Sequence, residues 1–241
     1  MLAGCLLEKS FMFCQPIDRW GSFGIVRPEG KEILPRSFVT TGNKWDFGHD
    51  FPAGSLIKVL ALERFPNEAA LVGKILGSYT NLEVDLMNCV RSARQDLDTV
   101  LKAMFRGRGE SGRVRVADAF GRQIYRALGL GQEFELAIGS MRYCIKIRNQ
   151  YAHCIWWDDN SGRLAFANLE ELAEMNEKVE DLRGLTSRHV DCALLEAQFA
   201  FFENASDYLM WLLHEGNRKS DRPFVPNLQK PAALPQPPQY I

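Results

Sequence analysis

A chain of 241 residues, 46% of them hydrophobic, is long enough for one large domain, or for one domain with a small companion, and it can bury a sizeable core. Its formal net charge of −1 provides no bulk attraction to nucleic acid, so only a local basic patch could serve that purpose. No apolar run reaches membrane-spanning length, and the six cysteines form no C-x-x-C pair and no metal-like spacing. Reduced, mostly buried thiols in a cytoplasmic protein are expected, with no metal and no cofactor.

Residues 1–65 are rich in Gly, Pro and aromatics and read as a small β-rich region. Leu2-Ala3-Gly4-Cys5 mimics a lipoprotein cleavage site but lacks the charged and apolar segments that precede one, so no such signal is expected. Strand-length runs lie at Phe11–Cys14, Ser22–Val26, Glu32–Leu34 and Ser55–Leu60, with a turn signal at Arg27-Pro28-Glu29-Gly30. The stretch from Trp20 to Val26, followed by a Gly turn and Glu32-Ile33-Leu34-Pro35-Arg36-Ser37-Phe38, resembles a cold-shock domain. Pro35 interrupts the second motif of that family. The resemblance implies a small barrel whose outward aromatics, here Trp20 and Phe23, stack on single-stranded bases. Packing of both aromatics against the helical body is the plainer alternative.

Residues 66–215 read as a helical domain. Asn67 is an N-cap candidate, and Leu71, Ile75, Tyr79, Leu82, Leu86 and Cys89 recur at helical spacing to about residue 92. Glu83 lies on the flank of this helix, and two readings stand: an ion pair with Arg148, or a plain surface carboxylate. Leu97 to Met104 predicts a shorter helix. Arg106 to Arg113 reads as a loop with three glycines and a basic bias, in which Arg106 and Arg108 are candidate contacts to a nucleic-acid backbone. The next helix carries Val116, Phe120, Ile124, Tyr125 and Leu128 and is closed by Gly129.

A helix from about Gln132 to His153 follows and ends in Arg148-Asn149-Gln150-Tyr151-Ala152-His153. This helix end brings together a permanently charged guanidinium and an imidazole that titrates near neutrality. Beyond it, Cys154–Trp157 and Arg163–Phe166 flank the turn Asp158–Gly162 and predict a short hairpin. Asn168 is expected to cap a helix running to Leu182, with Glu170 and Glu171 in its first turn. Thr186 is expected to open a last helix, through Val190 and Leu194 to about Glu215, whose aromatic face packs in the core or forms a dimer surface. His189 and His214 are expected on helix surfaces. Residues 216–241 hold Pro223, Pro226, Pro231, Pro235, Pro237 and Pro238 and read as a disordered, polyproline-like tail.

The sequence RNQYAH resembles the signature of the HEPN superfamily, an Arg, a polar residue, a short spacer and a His. Arg148, Asn149 and His153 match it, and Gly73 to Glu83 is similar to the first helix of bacterial relatives. The resemblance implies a mainly α, HEPN-like helical bundle that dimerises and places two copies of the motif in one cleft. It implies a metal-independent endoribonuclease in a toxin or defence-type role, leaving 2′,3′-cyclic phosphate ends, with RNA as substrate and an antitoxin or other protein as partner. His153 of one chain would serve as base and its mate as acid, Arg148 would sit over the phosphate and Asn149 would orient it. Glu83 and Tyr151 would support the site. Two alternatives stand beside this one: a non-catalytic HEPN-like RNA- or nucleotide-binding or dimerisation module, and a cold-shock-like RNA-binding protein whose helical part dimerises it.

Overall fold

In a computed structural model the described residues are 61–107, 109–174 and 188–241. The strands expected in residues 1–65, with Trp20 and Phe23, lie outside them, as do Arg108 and the end of the helix expected to reach Leu182. The described chain is mainly helical with one small sheet. Its elements in order are α1 (Ala61–Arg64), α2 (Pro66–Arg94), α3 (Leu97–Phe105), α4 (Glu110–Ala127), α5 (Gly131–Ala152), β1 (Cys154–Asp158), β2 (Leu164–Asn168), α6 (Leu169–Glu174), β3 (Arg188–Val190) and α7 (Cys192–Lys219).

The helices follow their apolar spacing. Val72, Ile75, Tyr79, Leu82, Leu86 and Cys89 form the buried stripe of α2 at alternating intervals of three and four. The helix starts two residues earlier than expected: Pro66 takes its first turn after Phe65, so Asn67 lies inside the helix rather than capping it. Asp96 caps α3 by accepting from the Thr99 backbone N–H at 3.0 Å. The basic loop is shorter than its composition predicts. Gly109, at φ 90°, opens α4, and the backbone N–H groups of Gly112 and Arg113 bond to its carbonyl, so Glu110 to Arg113 are helical. Gly129, at φ 68°, closes α4, with the Leu130 N–H bonding back to the Tyr125 carbonyl at 2.8 Å.

Pairs of contacts fix the helix directions. On α2 and α7, Glu68 meets Cys192, Asp85 meets Ser206 and Ser92 meets Asn217, so the two long helices run parallel. On α4 and α5, Arg148 meets Glu110, Arg142 meets Asp118 and Arg122 meets Glu135, so these two are antiparallel. Glu83 and Cys89 of α2 meet Arg113 and Tyr125 of α4 in the same chain order, so α5 is antiparallel to α2 as well. Helix α5 also packs on α7, where Tyr143 meets Phe201 and Tyr151 meets Gln198. Its Ile138, Met141, Cys144 and Ile147 are fully buried, so the motif sits at the end of a helix packed against α2, α4 and α7.

The hairpin forms as expected, with Trp156 opposite Phe166, and Arg188–Val190 adds a third antiparallel strand beside β2. That strand corrects the expected start of the last helix. Val190 pairs with Leu164, and the true cap is Asp191, which accepts from the Leu194 N–H at 2.9 Å. His189 is therefore a strand residue, 2.7 Å from Asp159. Burial acts to raise the Asp159 carboxyl, but hydrogen bonds from Ser161 and His189 outweigh it and bring the group down to about 2.

The tail also differs from its expected disorder. Residues 223–241 have no regular secondary structure, yet they lie against the bundle. Tyr143 donates to the Pro237 carbonyl (2.5 Å), Gln198 to the Pro238 carbonyl (2.8 Å) and Asn204 to the Ala232 carbonyl (2.9 Å). Pro237 is buried, Arg188 stacks on Tyr240 at 4.4 Å, and the Ile241 N–H bonds to the His189 carbonyl beside the sheet. No described helix is long and apolar enough to cross a membrane.

Candidate functional site

The end of α5 distributes the six motif residues by helical rotation. Gln150 and Tyr151 point inward and are buried, whereas Arg148, Asn149 and His153 retain solvent access. Arg148 Nη1 donates to Asn149 Oδ1 at 3.0 Å, and its Nη2 lies 3.3 Å from Glu110 Oε1 on α4. The Arg148 side chain keeps 26% of its surface exposed. His153 is the C-cap of α5, and its backbone carbonyl accepts from the Leu169 N–H at 2.9 Å, which pins it to the start of α6. Its Nε2 lies 3.5 Å from Glu170 Oε1, and the side chain is 52% exposed. Arg148 and His153 therefore approach carboxylates on different elements, Glu110 on α4 and Glu170 on α6.

Two expected supporting residues have other roles. Glu83 does not pair with Arg148, nor is it a surface carboxylate. It is 3% exposed, and its Oε2 accepts from Arg113 Nη1 at 2.6 Å. Burial raises its pKa above the ordinary carboxyl value, Arg113 opposes that rise, and the nearby Glu110 adds to it. Burial and the same two carboxylates hold the Tyr79 hydroxyl well above its usual range. A charged network thus lies behind the motif: Glu110 binds Arg148, and Arg113, three residues further on, binds Glu83. Tyr151 is a core residue. Its hydroxyl donates to Gln198 Oε1 at 2.7 Å, and its ring packs against Trp156 and Phe166. Burial moves its pKa upward, out of the range of acid–base work at neutral pH.

Glu110, Arg113 and Glu170 are the residues that join the site without having been singled out for it. The interval of four from Glu110 to Val114, with Ala117 and Gly121 following on the same buried face, is the signal that places Glu110 on a helix. Arg106 is exposed at the end of α3, where its backbone N–H bonds to Lys102. Cys89 and Cys154 are pushed up to about 12 by burial, so neither is a thiolate nucleophile. Among the described residues no group of three or more His, Cys, Asp or Glu is placed to hold a metal ion.

Asn149 and Gln150 also line a cavity of about 630 Å³ between α4, α5, the end of β2, α6 and the segment at Gln239. Family models, curated proteins and solved structures give no match to this chain.

Proposed function

We propose that the chain is a metal-independent endoribonuclease of the HEPN-like kind, acting on RNA in the cytoplasm as a homodimer, in a toxin or defence-type role with an antitoxin or other protein partner. The observation that carries this reading is the half-exposed imidazole of His153 at the end of the helix that also presents Arg148 on its Asn149 support. An exposed imidazole serves as base toward a ribose 2′-OH or as acid toward a leaving 5′ oxygen. A guanidinium stabilises the charge that develops on the phosphate between them. One chain supplies one such histidine, so the acid and the base come from two copies of α5.

The Arg148–Glu110 ion pair favours a second reading, a non-catalytic module that binds RNA or a nucleotide or that dimerises. The two readings part on one experiment. Wild-type, His153→Ala and Arg148→Ala proteins are incubated with total RNA, with and without EDTA, and the new ends are mapped. Under the ribonuclease reading EDTA has little effect and the ends are 2′,3′-cyclic phosphates. Each alanine variant loses on the order of a hundredfold in rate. Arg148→Lys recovers only part of the loss, because it lacks the planar fork. Cleavage that disappears in EDTA, or that survives His153→Ala unchanged, removes this mechanism and leaves the binding module.

A further inference from the structure

We infer that the cavity beside the motif is a nucleotide subsite, which takes a phosphate on its cationic walls and a base against Val114, Ile145 and the Asn149 amide. The inference deepens the ribonuclease reading by naming a position at which the strand is held, and it rests on that reading for its place in cleavage but not for binding itself.

The cavity's charge comes first. Arg115 on α4 and Arg142 and Lys146 on α5 line it. Arg142 is compensated by Asp118 at 3.0 Å. Arg115 and Lys146 have no carboxylate partner within 4.0 Å among the described residues. The acidic residue in the lining, Glu171, is neutralised by Arg188 at 2.5 Å. Two uncompensated cations therefore face a concave space, which favours an anion of the size of a phosphate. The cavity volume, about 630 Å³, falls within the range of small-molecule sites of roughly 300–1,000 Å³.

The remaining walls suit a flat ring with a hydrogen-bonding edge. Val114 and Ile145, both buried, supply apolar surface. Asn149 accepts from Arg148 Nη1 through its Oδ1 at 3.0 Å, and its Nδ2 has no hydrogen-bond partner among the described residues, so the lining keeps an amide donor for a base carbonyl.

Isothermal titration calorimetry on the full-length His153→Ala protein, at low salt, separates binding from cleavage. The ligands are cytidine 5′-monophosphate, uridine 5′-monophosphate, cytidine and inorganic phosphate. Both nucleotides should bind about tenfold tighter than cytidine or phosphate alone. Lys146→Glu, at an exposed position that leaves the core intact, should weaken that binding by about tenfold or more. A tetranucleotide of cytidine that outcompetes the mononucleotide identifies the ligand as part of an RNA strand, and equal affinity identifies it as a free nucleotide. No heat with the cytidine nucleotide at millimolar concentration, phosphate binding as tightly as the nucleotide, or indifference to Lys146→Glu overturns the subsite. Binding that persists while wild-type protein fails to cleave RNA sinks only the ribonuclease reading.

Discussion

Replacing Arg113 with Met tests the charged network behind the motif. The change leaves Glu83 buried, at 3% exposure, without its 2.6 Å partner. Removing one member of a buried pair ordinarily costs about 3–5 kcal/mol. Glu83 has an escape, however, because it can take up a proton. At pH 7 the cost of protonating a carboxyl with an ordinary value of 4.5 is about 2.5 pH units at ~1.36 kcal/mol each, which caps the electrostatic loss at roughly 3.4 kcal/mol. The lost stacking of Arg113 on Phe105, at 5.1 Å, adds about 0.5–1 kcal/mol that does not depend on pH.

The pH dependence has a definite sign. Burial raises the folded-state pKa of Glu83 above its unfolded value. In the window between the two values the folded state holds more protons, so stability is fully present below about pH 4.5 and is lost as pH rises through the raised value. Removing Arg113, which opposes the rise, extends that window upward. Urea unfolding of wild type and Arg113→Met at pH 7.5 and pH 5 should therefore show a deficit of about 3–4 kcal/mol at the higher pH, most of it recovered at the lower one. Glu83→Gln in the Arg113→Met background should flatten the dependence. A deficit that is equal at both pH values, or larger than about 5 kcal/mol, would refute a neutralisable Glu83 as its cause.

Three further outcomes follow from packing and capping. Gly121→Ala should destabilise by about 1–3 kcal/mol in a thermal melt, since its Cβ would lie 2.4 Å from Phe134 Cζ on a ring stacked against Tyr125, whereas Gly77→Ala, with nothing within 4 Å, should stabilise by about 0.5–1 kcal/mol. Asn168→Ala should cost roughly 1 kcal/mol, and more if the Asn149 and Gln150 carbonyls find no water, measured by urea midpoint. Deleting residues 231–241 should raise amide hydrogen exchange over 148–153 and leave α3 unchanged, because Gln150, Tyr151 and Gln198 all bond to the Gln239 carbonyl.

What was legible in the sequence was local. The stripe from Ile75 to Cys89, the glycine that closes α4 and the hairpin around Asp158–Gly162 each rest on neighbours a few residues apart, whereas the residue that begins the buried stripe is Val72 rather than Leu71. The failures come from long range or from a misleading composition. Gly107, Gly109 and Gly112 made 106–113 read as one loop, yet Gly109 at φ 90° starts a helix and Gly112 is tolerated in its first turn. Val190 stands four residues before Leu194 and so fits a helical stripe, although its partner is Leu164 on another strand. In the tail, proline excludes a helix and removes N–H donors but leaves the carbonyls as acceptors. The donors that meet them, Tyr143, Gln198 and Asn204, lie 94, 40 and 28 residues away, beyond the reach of local composition.

The motif itself divides along the same line. Its inward residues, Gln150 through Nε2 and Tyr151 through its hydroxyl, bond to the carbonyl of Gln239 and to Gln198, so they set the orientation of the helix end. Its outward residues stay available, and the donor count of Arg148 shows how. A guanidinium carries five N–H donors. Among the described residues one hydrogen bond goes to Asn149, and the 3.3 Å contact with Glu110 accounts for one more. Donors remain for a phosphate without breaking the Glu110 pair, and that pair serves as a fixed brace that holds the fork in place. The ion pair to Glu110 favours the binding module, and the donors left over keep Arg148 available to a phosphate. The readings part at His153, whose imidazole is half-exposed and 3.5 Å from the half-exposed Glu170 carboxylate. The ribonuclease reading requires that imidazole and the binding module does not, so the effect of His153→Ala on RNA cleavage, rather than any effect of Arg148→Ala on RNA binding, decides between them.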